Sequence, residues 1–182
     1  MSQTYLDENP PMILDATCSY FRTWPRYATL RMDIRREVKP DIVASATHLP
    51  FRDNIFDSIY CDPPHLMRVG LTGLQEMKRK RLLGGWSALT PFERYGFWKT
   101  QKEWLGFVRE SGPEFARCIK ESGSLHYKIT DNIEPRNPRL SDLAAMPFST
   151  VRDRVSKSES NLGNGPRVHW LTMRPKPQRT ED

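Results

Sequence analysis

Early in the chain four short β-capable runs follow one another, and each is stopped by an acid or a small polar residue. Met12–Leu14 runs into Asp15, "YATLRMDIR" carries Asp33, Ile42–Ala44 runs into Ser45, and "NIFDSIYCDPP" reaches Asp62. None is long enough for a helix, and polar or proline punctuation bounds each one. The intervals leave room for crossovers, so the spacing predicts parallel strands in an α/β sheet. The fourth run is stopped hardest. Pro63 and Pro64 donate no backbone hydrogen bond and cannot continue a central ladder, so this strand must end in a rigid Asp-Pro-Pro-His corner.

The remainder is less regular. Residues 66–97 hold several glycines, the basic run Lys78–Arg81 and the Gly84-Gly85 pair, and read as a partly helical, mobile insertion. Helical spacing returns from Trp98 to Lys120, with Trp98, Leu105 and Val108 on one face, then Phe115, Cys118 and Ile119, and a break expected at Gly112-Pro113. "GSLHYKIT" reads as a fifth strand. "NPRLSDLAAM" reads as a short helix capped by Asn137 or Ser141, and "RVHWLTMRP" as a last strand. "VRDRVSKSESNLGNG" reads as a polar, basic loop, and residues 175–182 as a disordered tail. At 182 residues the chain suits one domain spanning 1–182.

Composition narrows the partners. The formal net charge is +6 and the pI about 9.4, a surplus that favours anionic partners, nucleic acid first among them. No apolar run approaches the roughly 20 residues that span a bilayer, so no membrane partner is expected. No basic segment followed by an apolar one opens the chain, which makes the cytoplasm the default location. Cys18, Cys61 and Cys118 are far apart, with no CxxC pair and no Cys/His cluster at zinc spacing. They read as three thiols in a reducing compartment, and no metal is expected.

Strands that stop at acidic or small polar residues bring those residues to one edge. In an open parallel sheet, ligands bind outside the carboxyl ends of the strands, so Asp15, Asp33, Ser45-Ala46 and Asp62 should line one cleft. A carboxylate at the end of the second strand suits a ribose diol, which it can hold by two charge-assisted hydrogen bonds.

These residues carry a resemblance. "ILDATCSYFRTW", "LRMDIR" and "DIVASATHLPFRDNIFDSIYCDPPH" together resemble the class I S-adenosylmethionine (SAM)-dependent methyltransferases, in particular small phage- and prophage-type members. The Asp-Pro-Pro-His corner is similar to the Asp-Pro-Pro-Tyr corner of amino-methyltransferases acting on adenine N6 or cytosine N4. The resemblance is densest from Ile13 to His65. It implies a Rossmann-like, mostly parallel sheet with an antiparallel last strand and helices on both faces. It also implies SAM as cofactor, held by Asp15, Ala16, Thr17 and Cys18 of the first motif, by Asp33 and Ile34 after the second strand, and by Ser45 and Ala46. Arg22 and Trp24 would help shape that pocket. Asp62, Pro63, Pro64 and His65 become the catalytic corner. Once a nucleic-acid substrate is assumed, Lys78, Arg79, Lys80, Arg81, Arg152, Arg154 and Lys157 become candidate phosphate contacts.

The chain departs from the pattern at three points. Thr17, Cys18 and Ser19 stand where the first motif usually carries glycines, Ser45 where an acid often contacts adenine, and His65 where Tyr, Phe or Trp usually follows the prolines. The expected function is an N-methyltransferase for an exocyclic amino group of a nucleic-acid base, DNA adenine or cytosine before RNA. The alternatives are methylation of a small molecule or protein side chain, and a nucleic-acid binder that has lost catalysis. Asp33 could instead be a surface acid paired with Arg31 or Arg35. His48 and His126 read as ordinary polar residues.

Overall fold

The computed structural model describes residues 10–19, 27–65, 98–131, 138–157 and 167–177. The expected insertion at 66–97, with Lys78, Arg79, Lys80 and Arg81, lies outside the described residues, as do Arg22, Trp24, Asn137 and residues 178–182.

The strands are β1 (Ile13–Asp15), β2 (Leu30–Asp33), β3 (Ile42–Val43), β4 (Phe56–Cys61), β5 (Ile119–Asp131), β6 (Phe148–Lys157) and β7 (Arg167–Pro175). They form one seven-stranded sheet in the order β3-β2-β1-β4-β5-β7-β6. Pairings from β3 through β5 are parallel, while β7 runs antiparallel to both β5 and β6. The expected mostly parallel sheet with a reversed last strand is therefore present. β1 is an interior strand, third from the β3 edge, with Leu14 opposite Leu30 on one side and Ile59 on the other, and all three of its residues are buried. A strand covered on both faces reads as a continuous apolar run rather than an alternation, which is why "MIL" was recognisable as one.

Helix α1 (Gln101–Cys118) lays Trp104, Val108, Phe115 and Cys118 on the core that Leu14, Ile59, Leu125, Tyr127 and Ile129 build from the sheet. It starts three residues later than the apolar spacing suggested, because Thr100 caps it. The Thr100 hydroxyl accepts from Glu103 N at 3.2 Å, and Glu103 Oε2 accepts from Lys99 N at 2.8 Å, so one orphan donor of the first turn is satisfied and the residue before the cap is tied back to the helix. The break expected at Gly112-Pro113 does not occur, since α1 is continuous through both. Pro113 is exposed and so is Arg109, four residues before it. The carbonyl that loses its partner therefore lies on the water-facing side, where solvent replaces the lost bond.

Gly112 is buried for a different reason. A Cβ placed there would lie 3.0 Å from Pro147 Cδ, 3.1 Å from Met146 Cγ and 3.3 Å from Met146 Cα. Overpacking of this kind costs about 1–3 kcal/mol, and the helix propensity of alanine returns about 1 kcal/mol. Gly112→Ala is expected to lower the melting temperature by a few degrees, measurable by circular dichroism. An unchanged melt would mean that the Met146-Pro147 contact yields freely.

Three further expectations need correction. The segment read as a polar, basic loop begins within β6, an edge strand on which Val151 through Ser156 are exposed. Charged side chains on an edge strand guard against further pairing, and they also mimic a loop. The short helix is a 3-10 helix at Leu140–Ala145 with Ser141 inside it, and Asp142 Oδ2 accepts from Arg139 N at 2.9 Å at its start. Finally, the first residues of the expected tail are bound. Pro175 ends β7, and Lys176 N donates to Pro147 O at 3.0 Å.

Candidate active site

The strand order reverses between β1 and β4, and a reversal point opens a crevice at the strands' carboxyl ends. Two hydrogen bonds tie those ends together. Ala16 N donates to Tyr60 O at 2.9 Å, and Asp62 N donates to the Thr17 hydroxyl at 2.7 Å. The turn after β1 is made without glycine. Ser19 takes it up at φ 53°, a left-handed conformation that costs an L-residue about 1–2 kcal/mol. Its N–H donates to Asp33 Oδ2 at 3.0 Å, which offsets part of that cost and joins the first turn to the end of β2.

A cavity of about 790 Å³ opens over these ends. Its wall includes Ala16, Thr17, Asp33, Ile34, Ser45 and Ala46 from the cofactor expectation, and Asp62, Pro63 and Pro64 from the corner. Asp15 and Cys18 do not line it. Both are buried beneath the turn, and none of the three cysteines forms a disulfide. His65 does not line it either, but its Nε2 stands 2.8 Å from Asp62 Oδ1. The opposite wall comes from α1 and its approach: Trp98, Phe107 and Glu110. The Trp98 ring lies 5.0 Å from Phe107 and 5.7 Å from Trp104, and its Nε1 donates to Pro64 O at 2.8 Å, clamping the proline corner.

Asp33 is no surface acid, being 5% exposed. It does pair with Arg35: Oδ1 accepts from Arg35 N and Nε at 3.0 Å each, and Oδ2 accepts from Arg35 Nη2 at 3.2 Å. Pairing and cavity lining coexist at this carboxylate. Ser45 holds its own loop, with Thr47 N donating to its hydroxyl at 3.2 Å and the two hydroxyls 2.8 Å apart.

Asp62 lies between two basic side chains. Lys128 Nζ of β5 lies 2.7 Å from Oδ2, opposite the His65 contact on Oδ1. Burial pushes its carboxyl up, but His65 and Lys128 outweigh this and hold it below the ordinary carboxylate range. Asp62 is thus an ionised acceptor. Lys128 was missed because "LHYKIT" alternates without local sign of a partner. Burial pushes the Cys61 thiol well up, which leaves it protonated and unreactive.

Asp15 behaves in the opposite way. Burial, with Asp62 and Asp33 adding to it against the Thr17 N–H, pushes its carboxyl up to about 7. Its Oδ2 is buried and has no hydrogen-bond partner among the described residues. The native carboxyl keeps its proton between about pH 4 and pH 7, where the unfolded chain ionises, so this group's contribution falls as pH rises through that window and levels off above it. Asp15→Asn removes the loss. It is expected to raise the melting temperature at pH 8 by several degrees while changing little near pH 4. A shift of equal size at both pH values would contradict the buried, raised carboxyl.

Arg152 and Arg154 lie in β6 and line a second cavity, of about 720 Å³, with Tyr60, His126 and Trp170. Lys157 ends β6. Among the described residues no group of three His, Cys, Asp or Glu side chains could hold a metal ion, and no helix is long and apolar enough to cross a membrane.

No protein-family model and no curated protein sequence matches the chain. Several solved structures share its fold. The PH0226 protein of Pyrococcus horikoshii OT3 is 13% identical, with a TM-score of 0.51 over 94% of this chain and 84% of that one. The 1,6-didemethyltoxoflavin-N1-methyltransferase of Burkholderia thailandensis, solved with 1,6-didemethyltoxoflavin and S-adenosylhomocysteine, is 9% identical, with a TM-score of 0.52 over 92% and 72%. The MccD protein is 15% identical, with a TM-score of 0.51 over 92% and 90%. At these identities the likeness is one of architecture: the chain has a Rossmann-like fold of the kind found in SAM-dependent methyltransferases.

Proposed function

We propose that the chain is a SAM-dependent N-methyltransferase acting on an exocyclic amino group of a nucleic-acid base, DNA adenine N6 or cytosine N4 ahead of RNA. The observation that carries this is the Asp62-Pro63-Pro64 corner, fixed at the end of β4 on the wall of a cavity that Asp33 also lines.

The residues present suit the cofactor. The cavity volume lies within the roughly 300–1,000 Å³ of small-molecule sites. Among the described residues the wall carries Asp33, Asp62, Glu103 and Glu110 against Arg35 and Lys102, a balance that suits a cationic donor. Asp33 would hold the ribose, with Arg35 sharing or yielding acceptor positions, and Ala16, Thr17, Ile34, Ser45 and Ala46 would complete the walls. SAM, when bound, supplies a methyl group on a sulfonium, already strongly electrophilic.

The chain's own task is to prepare the nucleophile. An exocyclic amine is weak because its lone pair is delocalised into the ring. Asp62 and the Pro63 carbonyl accept its two N–H bonds, favour a pyramidal nitrogen and release the lone pair. Among the described residues Pro63 O accepts no hydrogen bond, whereas Pro64 O is taken by Trp98. Lys128 donates to Asp62 Oδ2, while among the described residues Asp62 Oδ1 accepts no hydrogen bond although His65 Nε2 stands 2.8 Å away. A carboxylate offers about four acceptor sites, so an amine can be added without expelling Lys128. Both prolines fix the corner before the reaction, so the acceptors need no reorganisation. Arg152 and Arg154 are the described candidates for phosphate contact, with Lys157 beside them in sequence.

Titration with SAM tests the cofactor assignment. Binding at 100 times Kd stabilises a folded chain by about 2.7 kcal/mol, a clear rise in melting temperature. Absence of a rise would overturn it in favour of a nucleic-acid binder without catalysis. Salt-sensitive retention on DNA or RNA separates a base target from a small-molecule or protein acceptor, neither of which requires it.

A further inference from the structure

Residues along β5 and β7 alternate between two faces of the sheet. Leu125, Tyr127, Ile129 and Leu171 belong to the core that α1 covers. The opposite face carries His126 and Lys128 of β5 beside Trp170 and Thr172 of β7, with Tyr60 of β4 at one side and Arg152 and Arg154 of β6 at the other. A doubly covered α/β sheet buries apolar residues on both faces, and this half-face is instead aromatic and cationic.

Its chemistry is ordered. The Tyr60 and His126 rings stack 4.3 Å apart at 19°. Arg152 and Arg154 are exposed, and among the described residues no acid lines this cavity. The nearby acid of β6, Asp153, is engaged by His169 Nδ1 at 2.8 Å. The cofactor cavity has the contrary balance, so the two cavities suit ligands of opposite sign. A chain of contacts joins them: Lys128 Nζ lies 2.7 Å from Asp62 Oδ2 and 5.1 Å from the Trp170 ring centroid.

We propose that this aromatic, cationic cavity on the β4-β5-β7-β6 face binds single-stranded polynucleotide and delivers its target base past Lys128 to Asp62. The inference rests on the nucleic-acid reading above. Cations flanking aromatic rings are the usual means of holding an unpaired strand, with phosphates on the arginines and bases against the rings. A duplex keeps its bases stacked inside and would have to flip one out, so this cavity favours the strand over the duplex.

The test is fluorescence anisotropy with labelled 20-nucleotide single strands of DNA and of RNA, and the matching duplex, across a salt series. Wild-type protein is expected to bind a single strand more tightly than the duplex. The Arg152→Ala/Arg154→Ala protein is expected to bind it about ten-fold or more weakly, with a shallower salt slope by about 0.7 per lost phosphate contact. Trp170→Phe, which keeps a ring, should bind more nearly as wild type than Trp170→Leu. The SAM-induced melting shift should be the same in all of them, showing an intact fold. Wild-type affinity and slope in the double-arginine protein, or a duplex bound as tightly as the strand, would overturn the inference. Base methylation with arginine-independent binding defeats this inference alone. Arginine-dependent strand binding without methylation defeats the enzymatic reading and leaves the site standing.

Discussion

Replacing Asp62 with alanine is expected to lower methyl transfer to a base amine by about 10²–10³-fold while SAM still binds. That range is what loss of one preorganised polar contact to a reacting group typically costs. Asp62 also has structural partners, because Lys128 Nζ and His65 Nε2 stand 2.7 Å and 2.8 Å from its oxygens. Alanine leaves Lys128 without its carboxylate, and Lys128 is only 19% exposed, so some stability is lost as well. Asp62→Asn separates the two effects. It keeps an oxygen acceptor for the amine and gives up the charge that Lys128 faces. If Asp62 works by accepting a hydrogen bond, the asparagine protein retains far more activity than the alanine protein. Equal loss in both would point to charge alone, and wild-type rates in the alanine protein would remove the proposed mechanism.

The largest effect on stability is expected at Trp104. Its ring is fully buried on α1, and its Nε1 donates to Asp142 Oδ2 at 2.7 Å. The same carboxylate oxygen accepts from Arg139 N, so one side chain ties α1 to the start of the 3-10 helix. Trp104→Ala removes a large apolar ring and leaves Asp142 short of a donor. Truncations of this size cost about 3–5 kcal/mol, a large share of the roughly 5–15 kcal/mol that holds a domain together. Trp104→Phe should recover most of the packing and none of the hydrogen bond, placing its urea midpoint between the other two. The consequence reaches the site, since Trp104 backs Trp98 and Trp98 clamps Pro64. A Trp104→Ala protein with wild-type stability would show that α1 is not anchored through this ring.

The contrast between β4 and β6 shows what could be read from the chain. "FDSIYC" is a central strand, and its apolar run and proline stop announce both its nature and its end. "FSTVRDRVSK" is an edge strand whose charged residues are tolerated because one side of it is unpaired, and locally it cannot be told from a loop. Gly112-Pro113 shows the same limit within a helix. Proline's cost depends on whether the freed carbonyl meets water, and that is set by which face of α1 packs on the sheet.

The site divides in the same way. Asp33 and Asp62 were legible because strand ends have a fixed place in a parallel sheet. Asp15 obeyed the same rule and yet lies beneath the cavity, because the turn through Ser19 closes over it. Lys128, Phe107 and Glu110 were not legible. Each reaches the site through tertiary docking, from a strand that pairs with β4 or a helix that crosses above it. The absent glycines of the first motif were legible, but their consequence was not, because Ser19 adopts the left-handed turn that a glycine would have supplied.

The most direct measurement is transfer of a labelled methyl group from SAM to mixed DNA and RNA, followed by digestion and identification of the labelled nucleoside. The account predicts label on N6-methyladenine or N4-methylcytosine, lost in the Asp62→Ala protein. Folded, SAM-binding protein that labels no nucleoside would contradict it, and would move the acceptor to a small molecule or a protein side chain.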